Sequence, residues 1–124
     1  MKPRDAAVRL KRFEISEKAR KVASIQSMVT DFERMASDLL RQIAAEEERT
    51  GVKDPGHFAY STFAKAARLR RTNLLNSAAD LKRQLDDARR EHEDAAAELD
   101  KLEPTGGRDG ERAVAKVDRV AMIG

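Results

Sequence analysis

Residue types that could carry chemistry are sparse in this chain. His57 and His92 are its only histidines and it has no cysteine, so disulfides, thiolate metal sites and cysteine nucleophiles are excluded. The two histidines are distant in sequence, and in a chain folded back on itself they fall at opposite ends, which argues against a shared metal site. There is no Ser/His/Asp arrangement, no glycine-rich phosphate loop and no carboxylate pair set in a pocket. A pair of helices also offers no cavity in which to shift a pKa or exclude water. The expectation is a protein without enzymatic activity, bound metal or cofactor.

Recognition is the remaining chemistry, and two groups of residues suit it. Leu10 and Phe13 stand among Arg9, Lys11 and Arg12, a composition of exposed aromatic and guanidinium groups that often anchors protein interfaces. They also fit a helix end whose register frays. The second group is His57-Phe58-Ala59-Tyr60-Ser61-Thr62-Phe63, which holds three of the five aromatic residues within six positions. Lys65, Arg68, Arg70 and Arg71 follow it. Phe58, Tyr60 and Phe63 cannot all point inward at those spacings, so part of this stretch is expected to face a partner.

Long helices must position both groups. Charged residues make up 38% of the 124-residue chain and aromatics only 4%, the mix of extended helices rather than of a packed globule. From Asp5 to Arg49 there is no glycine or proline. Apolar residues recur there at spacings of seven and then alternately three and four: Val8, Ile15, Val22, Ile25, Val29, Phe32, Ala36, Leu39 and Ile43. A second seam reads Ala64, Ala67, Arg71, Leu74, Ala78, Leu81, Leu85, Ala88, His92, Ala95, Leu99 and Leu102. Asp54 before Pro55 is placed to cap a short first turn, and Ser61-Thr62 to cap the long run. Pro104 and Gly106-Gly107 stop the second helix.

Charge decides how the helices pair. Residues 1–21 carry eight Lys/Arg against three Asp/Glu, residues 31–49 three against six, residues 53–73 five against one, and residues 80–103 five against nine. Folding back near Gly51 and Asp54-Pro55-Gly56 sets each basic block against an acidic one, whereas a parallel pair of copies sets like against like. Such charges choose partner and orientation more than they add stability. The fold class expected is all-α: an antiparallel two-helix coiled-coil hairpin over residues 1–103, with helices about 5–49 and 61–103 and a turn at 50–60. A register that centres the turn on Pro55 opposes Phe32 to Ala78, Ala36 to Leu74, Ile43 to Ala67, Lys18 to His92 and Lys11 to Leu99, so large faces small. A competing register opposes Ala36 to Ala67 and leaves a void. Residues 104–124 read as a flexible tail in which Val114, Val117, Val120 and Ile123 suit a short amphipathic helix.

The net charge is +3 from 25 positive and 22 negative groups, and the hairpin cancels much of the field. Nucleic-acid binding is therefore not expected. No apolar run is long enough to span a bilayer and the N-terminus does not read as a secretory signal, so a cytoplasmic location is the expectation. An independent coiled-coil scaffold or dimerisation module stays open, because β-branched seam residues in the first helix also suit a parallel pair.

Several segments together resemble the flagellar export protein FliJ family: Arg9-Leu10-Lys11-Arg12-Phe13, Phe32-Glu33-Arg34-Met35-Ala36, Ala45-Glu46-Glu47-Glu48-Arg49, Asp54-Pro55-Gly56-His57-Phe58-Ala59-Tyr60 and Ala64-Lys65-Ala66-Ala67. The closing Asp118-Arg119-Val120-Ala121-Met122-Ile123-Gly124 is similar to a short form of that family. The resemblance implies a soluble part of the flagellar type III export apparatus, an antiparallel coiled coil like the stalk of rotary ATPases. It further implies binding to the export ATPase ring by the paired ends, here Arg9, Leu10, Arg12 and Phe13. The cytoplasmic domain of the export gate would be met through Phe58, Tyr60, Phe63, Arg70 and Arg71, and export chaperones are further partners. Association with the inner membrane would then be peripheral, through those partners only.

Overall fold

A computed structural model describes residues 2–103. The predicted tail at 104–124 lies outside the described residues. Two helices follow one another, α1 (Pro3–Thr50) and α2 (Thr62–Leu102), and they pack together as an all-α hairpin with no strand among the described residues. None of the described helices is long and apolar enough to cross a membrane.

Helix ends follow local chemistry. Pro3 takes the first helical position, where its missing N–H costs nothing, and the Lys2 carbonyl accepts from Asp5 N–H at 2.9 Å and Ala6 N–H at 3.2 Å. This starts α1 two residues before the expected Asp5. At its other end Gly51 adopts a φ of +76° and returns its N–H to the Glu47 carbonyl at 2.9 Å, a left-handed stop that a side chain would strain. α2 opens as expected on Ser61, whose hydroxyl accepts from Ala64 N–H at 3.1 Å. Asp54 caps a short turn, its carboxylate accepting from Gly56 N–H at 2.9 Å and its carbonyl from His57 N–H at 3.0 Å, but this turn does not run on into α2.

The chain divides into two compact units. The turn unit is Ala23–Asp86, and the described part of the terminal unit is 2–22 with 87–103. In the turn unit, Ile25, Val29, Ala36 and Ile43 of α1 are buried, as are Ala64, Ala67, Ala78 and Leu85 of α2. Phe32, Leu39, Arg71, Leu74 and Leu81 lie half-buried beside them. The terminal unit buries Ala88 and Ala95 and half-buries Val8, Ile15, Val22, His92, Leu99 and Leu102. Every seam position expected from the spacing is thus withdrawn from water. Among the buried positions β-branched residues predominate on α1 and alanine on α2, a combination of large and small that suits close packing.

Ion pairs fix the register in the terminal unit. Lys11 Nζ reaches Glu98 at 2.5 Å, and Lys18 and Lys21 lie 3.8 and 3.5 Å from Glu91. These partners neighbour Leu99 and His92, the residues the Pro55-centred register places opposite Lys11 and Lys18. The competing register would oppose them to His92 and Leu85. Opposed blocks do meet across the helices, but much of the charge pairs locally. Asp31–Arg34, Asp38–Arg41, Asp80–Arg83 and Asp87–Arg90 are three apart on one helix. Neighbours on the same turn need order only two side chains to meet.

Candidate functional site

In the terminal unit, the last turn of α2 fastens to the first turns of α1. Arg4 Nε donates to the Leu102 carbonyl at 2.8 Å, and Arg12 donates to both oxygens of Glu103 at 2.9 and 3.2 Å. A shallow cleft of about 560 Å³ lies there among Lys2, Arg4, Asp5, Arg9, Arg12 and Glu103. Lys11 is held protonated above its ordinary range by Glu14 first and Glu98 second, and Glu98 is lowered in turn by Lys11. Leu10 and Phe13 turn away from this network. They are 70% and 64% exposed, and at a spacing of three they share one outer patch of α1. Arg9 is exposed, and Arg12 keeps most of its side chain in water despite its partner. The four residues expected at this end therefore divide: Leu10 and Phe13 form an apolar pair, Arg9 and Arg12 line the cleft.

The connection in the turn unit is shaped by its own short hydrogen bonds. His57 N–H donates to the Asp54 carbonyl and Tyr60 N–H to the His57 carbonyl, both at 3.0 Å, while Ala59 N–H donates to His57 Nδ1 at 2.9 Å. The His57 ring stacks on Phe58 with centroids 4.6 Å apart. Phe58 itself is 96% exposed. Phe63, on the first turn of α2, is 53% exposed.

Tyr60 has the opposite role. It is 8% exposed and donates its hydroxyl to Glu47 Oε2 at 2.7 Å, so it closes the seam and presents no surface to a partner. Burial, and then Glu47, pushes its phenol up from the ordinary value. Beside it Ser61 donates to Glu46 Oε2 at 2.5 Å, and Arg49 donates to Glu46 Oε1 at 2.8 Å and Oε2 at 3.1 Å. Arg49 first and Ser61 second hold the Glu46 carboxyl down at about 2. This carboxylate clasp was not anticipated from the residue spacing. A signal for it exists, since Glu46-Glu47-Glu48 puts three negative charges at the negative end of the α1 dipole, a placement that calls for compensating donors.

Arg70 and Arg71 do not act together. Successive helical residues point about 100° apart, and the two side chains reach separate crevices. Arg70 lines one with Met35, Asp38, Leu39 and Gln42, whereas Arg71 lines another with Leu40, Ile43, Arg68 and Thr72. Of the residues expected at the turn, Phe58, Phe63 and Arg70 offer exposed surface and Arg71 is half-buried. Among the described residues no group of three or more His, Asp or Glu side chains is placed to hold a metal ion.

Comparison with protein-family models, with curated proteins and with solved structures finds no match to this chain.

Proposed function

We propose that the chain is a component of the flagellar type III protein export apparatus, a coiled-coil stalk and chaperone-like adaptor. In this reading the terminal unit engages the export ATPase ring, the turn unit engages the cytoplasmic domain of the export gate, and export chaperones are further partners. The protein works in the cytoplasm and associates with the inner membrane only peripherally, through those partners. It binds no nucleotide and catalyses no reaction.

One observation carries the reading. In each unit, large apolar side chains stand off a seam that needs none of them: Leu10 and Phe13 in one, Phe58 and Phe63 in the other. Each set has guanidinium groups close by in sequence, Arg9 and Arg12 in the first case and Arg70 in the second. Exposed aromatic and arginine side chains carry much of the energy of protein interfaces. The segments similar to the FliJ family include both regions, and the His57–Tyr60 stretch is similar in a part of the chain that the heptad pattern leaves unconstrained.

The test is a pull-down with the purified export ATPase, comparing the wild type with the double variant Leu10→Asp/Phe13→Asp. Both positions are exposed, so the variant should keep its helicity and lose the ATPase. Equal capture of both proteins would remove the terminal patch from the interface, and capture of neither would remove the stalk reading. Phe58→Ser/Phe63→Ser, assayed against the gate domain, tests the turn unit in the same way.

A further inference from the structure

Two ion pairs bridge the helices of the turn unit along one flank, Glu33 to Lys82 at 2.8 Å and Glu47 to Arg68 at 3.8 Å. Midway between them stand Leu40 on α1 and Leu75 on α2, each seven residues from both charged residues of its own helix. A step of seven returns a helical residue to the same face. The two leucines therefore lie level with one another on this flank. Neither belongs to the seam, and they are 49% and 37% exposed. Their neighbours one turn away on the same face are Ser37 and Ala44 on α1 and Thr72 and Ala79 on α2, all small, uncharged and exposed. Arg71 reaches the flank from the seam, in a crevice it shares with Leu40 and Arg68.

We propose that this flank of the turn unit binds the same flank of a second copy of the chain, forming a four-helix dimer about a two-fold axis parallel to the helices. On the flank α1 contributes the acids Glu33 and Glu47, and α2 the bases Arg68 and Lys82. An axis along the helices lays α1 of one copy over α2 of the other at the same level. Glu33 then meets Lys82 of the second copy, Glu47 meets its Arg68, and four leucines form one closed layer between small residues. An axis across the helices lays α1 on α1 and α2 on α2, acid over acid and base over base. Complementary charge thus selects both the partner and the orientation. From Glu33 to Glu47 the flank runs about 21 Å, and two helices are about 20 Å wide, so about 400 Å² of each copy meets the other. That is a small interface, and it corresponds to a dissociation constant between about 10 µM and about 1 mM. The inference does not rest on the export reading, which uses other residues.

The test is sedimentation equilibrium of the full chain between about 5 µM and about 1 mM, a range that brackets a weak interface of this size. The wild type should pass from monomer to dimer. Leu40→Gln should raise the dissociation constant at least about tenfold, since each dimer loses two apolar contacts. Leu69→Gln, exposed but off the flank, should leave it unchanged. Circular dichroism confirms that the variants fold. The double exchange Glu33→Lys/Lys82→Glu keeps an ion pair within each chain, so it should dimerise with itself as the wild type does. Mixed with the wild type, it brings like charges together at both positions. A trace of wild type carrying a dye at its N-terminus should therefore bind the exchanged chain at least about threefold more weakly than it binds wild type. A monomer throughout, a dimer unaffected by Leu40→Gln, or equal affinity of the tracer for both chains would each overturn the proposal. Tighter self-association of the exchanged chain would overturn the axis assigned here.

Discussion

Tyr60 donates its hydroxyl to Glu47 at 2.7 Å, tying the end of the connection to the last turns of α1. The bond makes Tyr60 part of the hairpin's closure, whereas Phe58, two residues earlier, is left in water. Two aromatic residues with similar sequence surroundings therefore have separable roles. Tyr60→Ala should lower the melting temperature more than Tyr60→Phe, which keeps the ring and loses only the hydrogen bond. Phe58→Ala should leave the melting temperature unchanged. Thermal unfolding followed by circular dichroism ranks the three, and a Phe58→Ala protein that melts as early as Tyr60→Ala would contradict the division.

The seam makes a sharper demand. Ile43 and Leu85 are buried, and replacing either by alanine removes packed methyl groups. Each substitution should cost about 2–5 kcal/mol in urea unfolding. Leu69→Ala, at an exposed position outside the seam, should fall within about 0.5 kcal/mol of the wild type.

Gly51 sets the end of α1 with its positive φ, and its Cβ direction is open, so the penalty for a side chain there is purely conformational. Gly51→Ala should destabilise by about 1–2 kcal/mol. Gly51→Asn should cost less, because asparagine visits the left-handed region more readily. Urea midpoints of the two variants in the opposite order would show that another feature stops the helix.

Acid should loosen the turn. The Glu46 carboxyl is held at about 2 rather than its ordinary 4.5, by Arg49 and then Ser61. The unfolded chain therefore takes up that proton first. The stabilisation is complete above about pH 4.5 and disappears as pH falls from there toward about 2. Glu98, lowered by Lys11, contributes with the same sign in the terminal unit. Melting temperature should thus drop through this acid window, and Glu46→Gln should flatten part of the drop while the Glu98 part remains. Parallel wild-type and Glu46→Gln curves would exclude the clasp as a source of acid sensitivity.

The hairpin was legible because its determinants are periodic. Spacings of three and four identify Val8 through Ile43 and Ala64 through Leu102 as seam residues, and all of them are withdrawn from solvent. The charge blocks gave the antiparallel sense, and Lys11–Glu98 and Lys18–Glu91 confirm the register. The local ion pairs have a plain signal of their own, because Asp31, Asp38, Asp80 and Asp87 each carry an arginine three residues on. The Glu46 and Glu47 clasp depends on the path of the connection, which no periodicity encodes. The different directions of Arg70 and Arg71 follow from helix geometry, but burial of the Arg71 Nε without a protein acceptor follows only from packing. Leu10 and Phe13 were separable from the seam by spacing alone.

The hydrogen bonds that shape the connection run almost wholly between residues two or three apart, from Val52 to Thr50 and from Gly56 to Asp54 through to Tyr60 and His57. Its conformation is therefore written within a few consecutive residues. Such a loop is portable: residues 50–61, moved with a glutamate at each position equivalent to Glu46 and Glu47, should impose the same reversal on an unrelated pair of helices and display Phe58 at its crest.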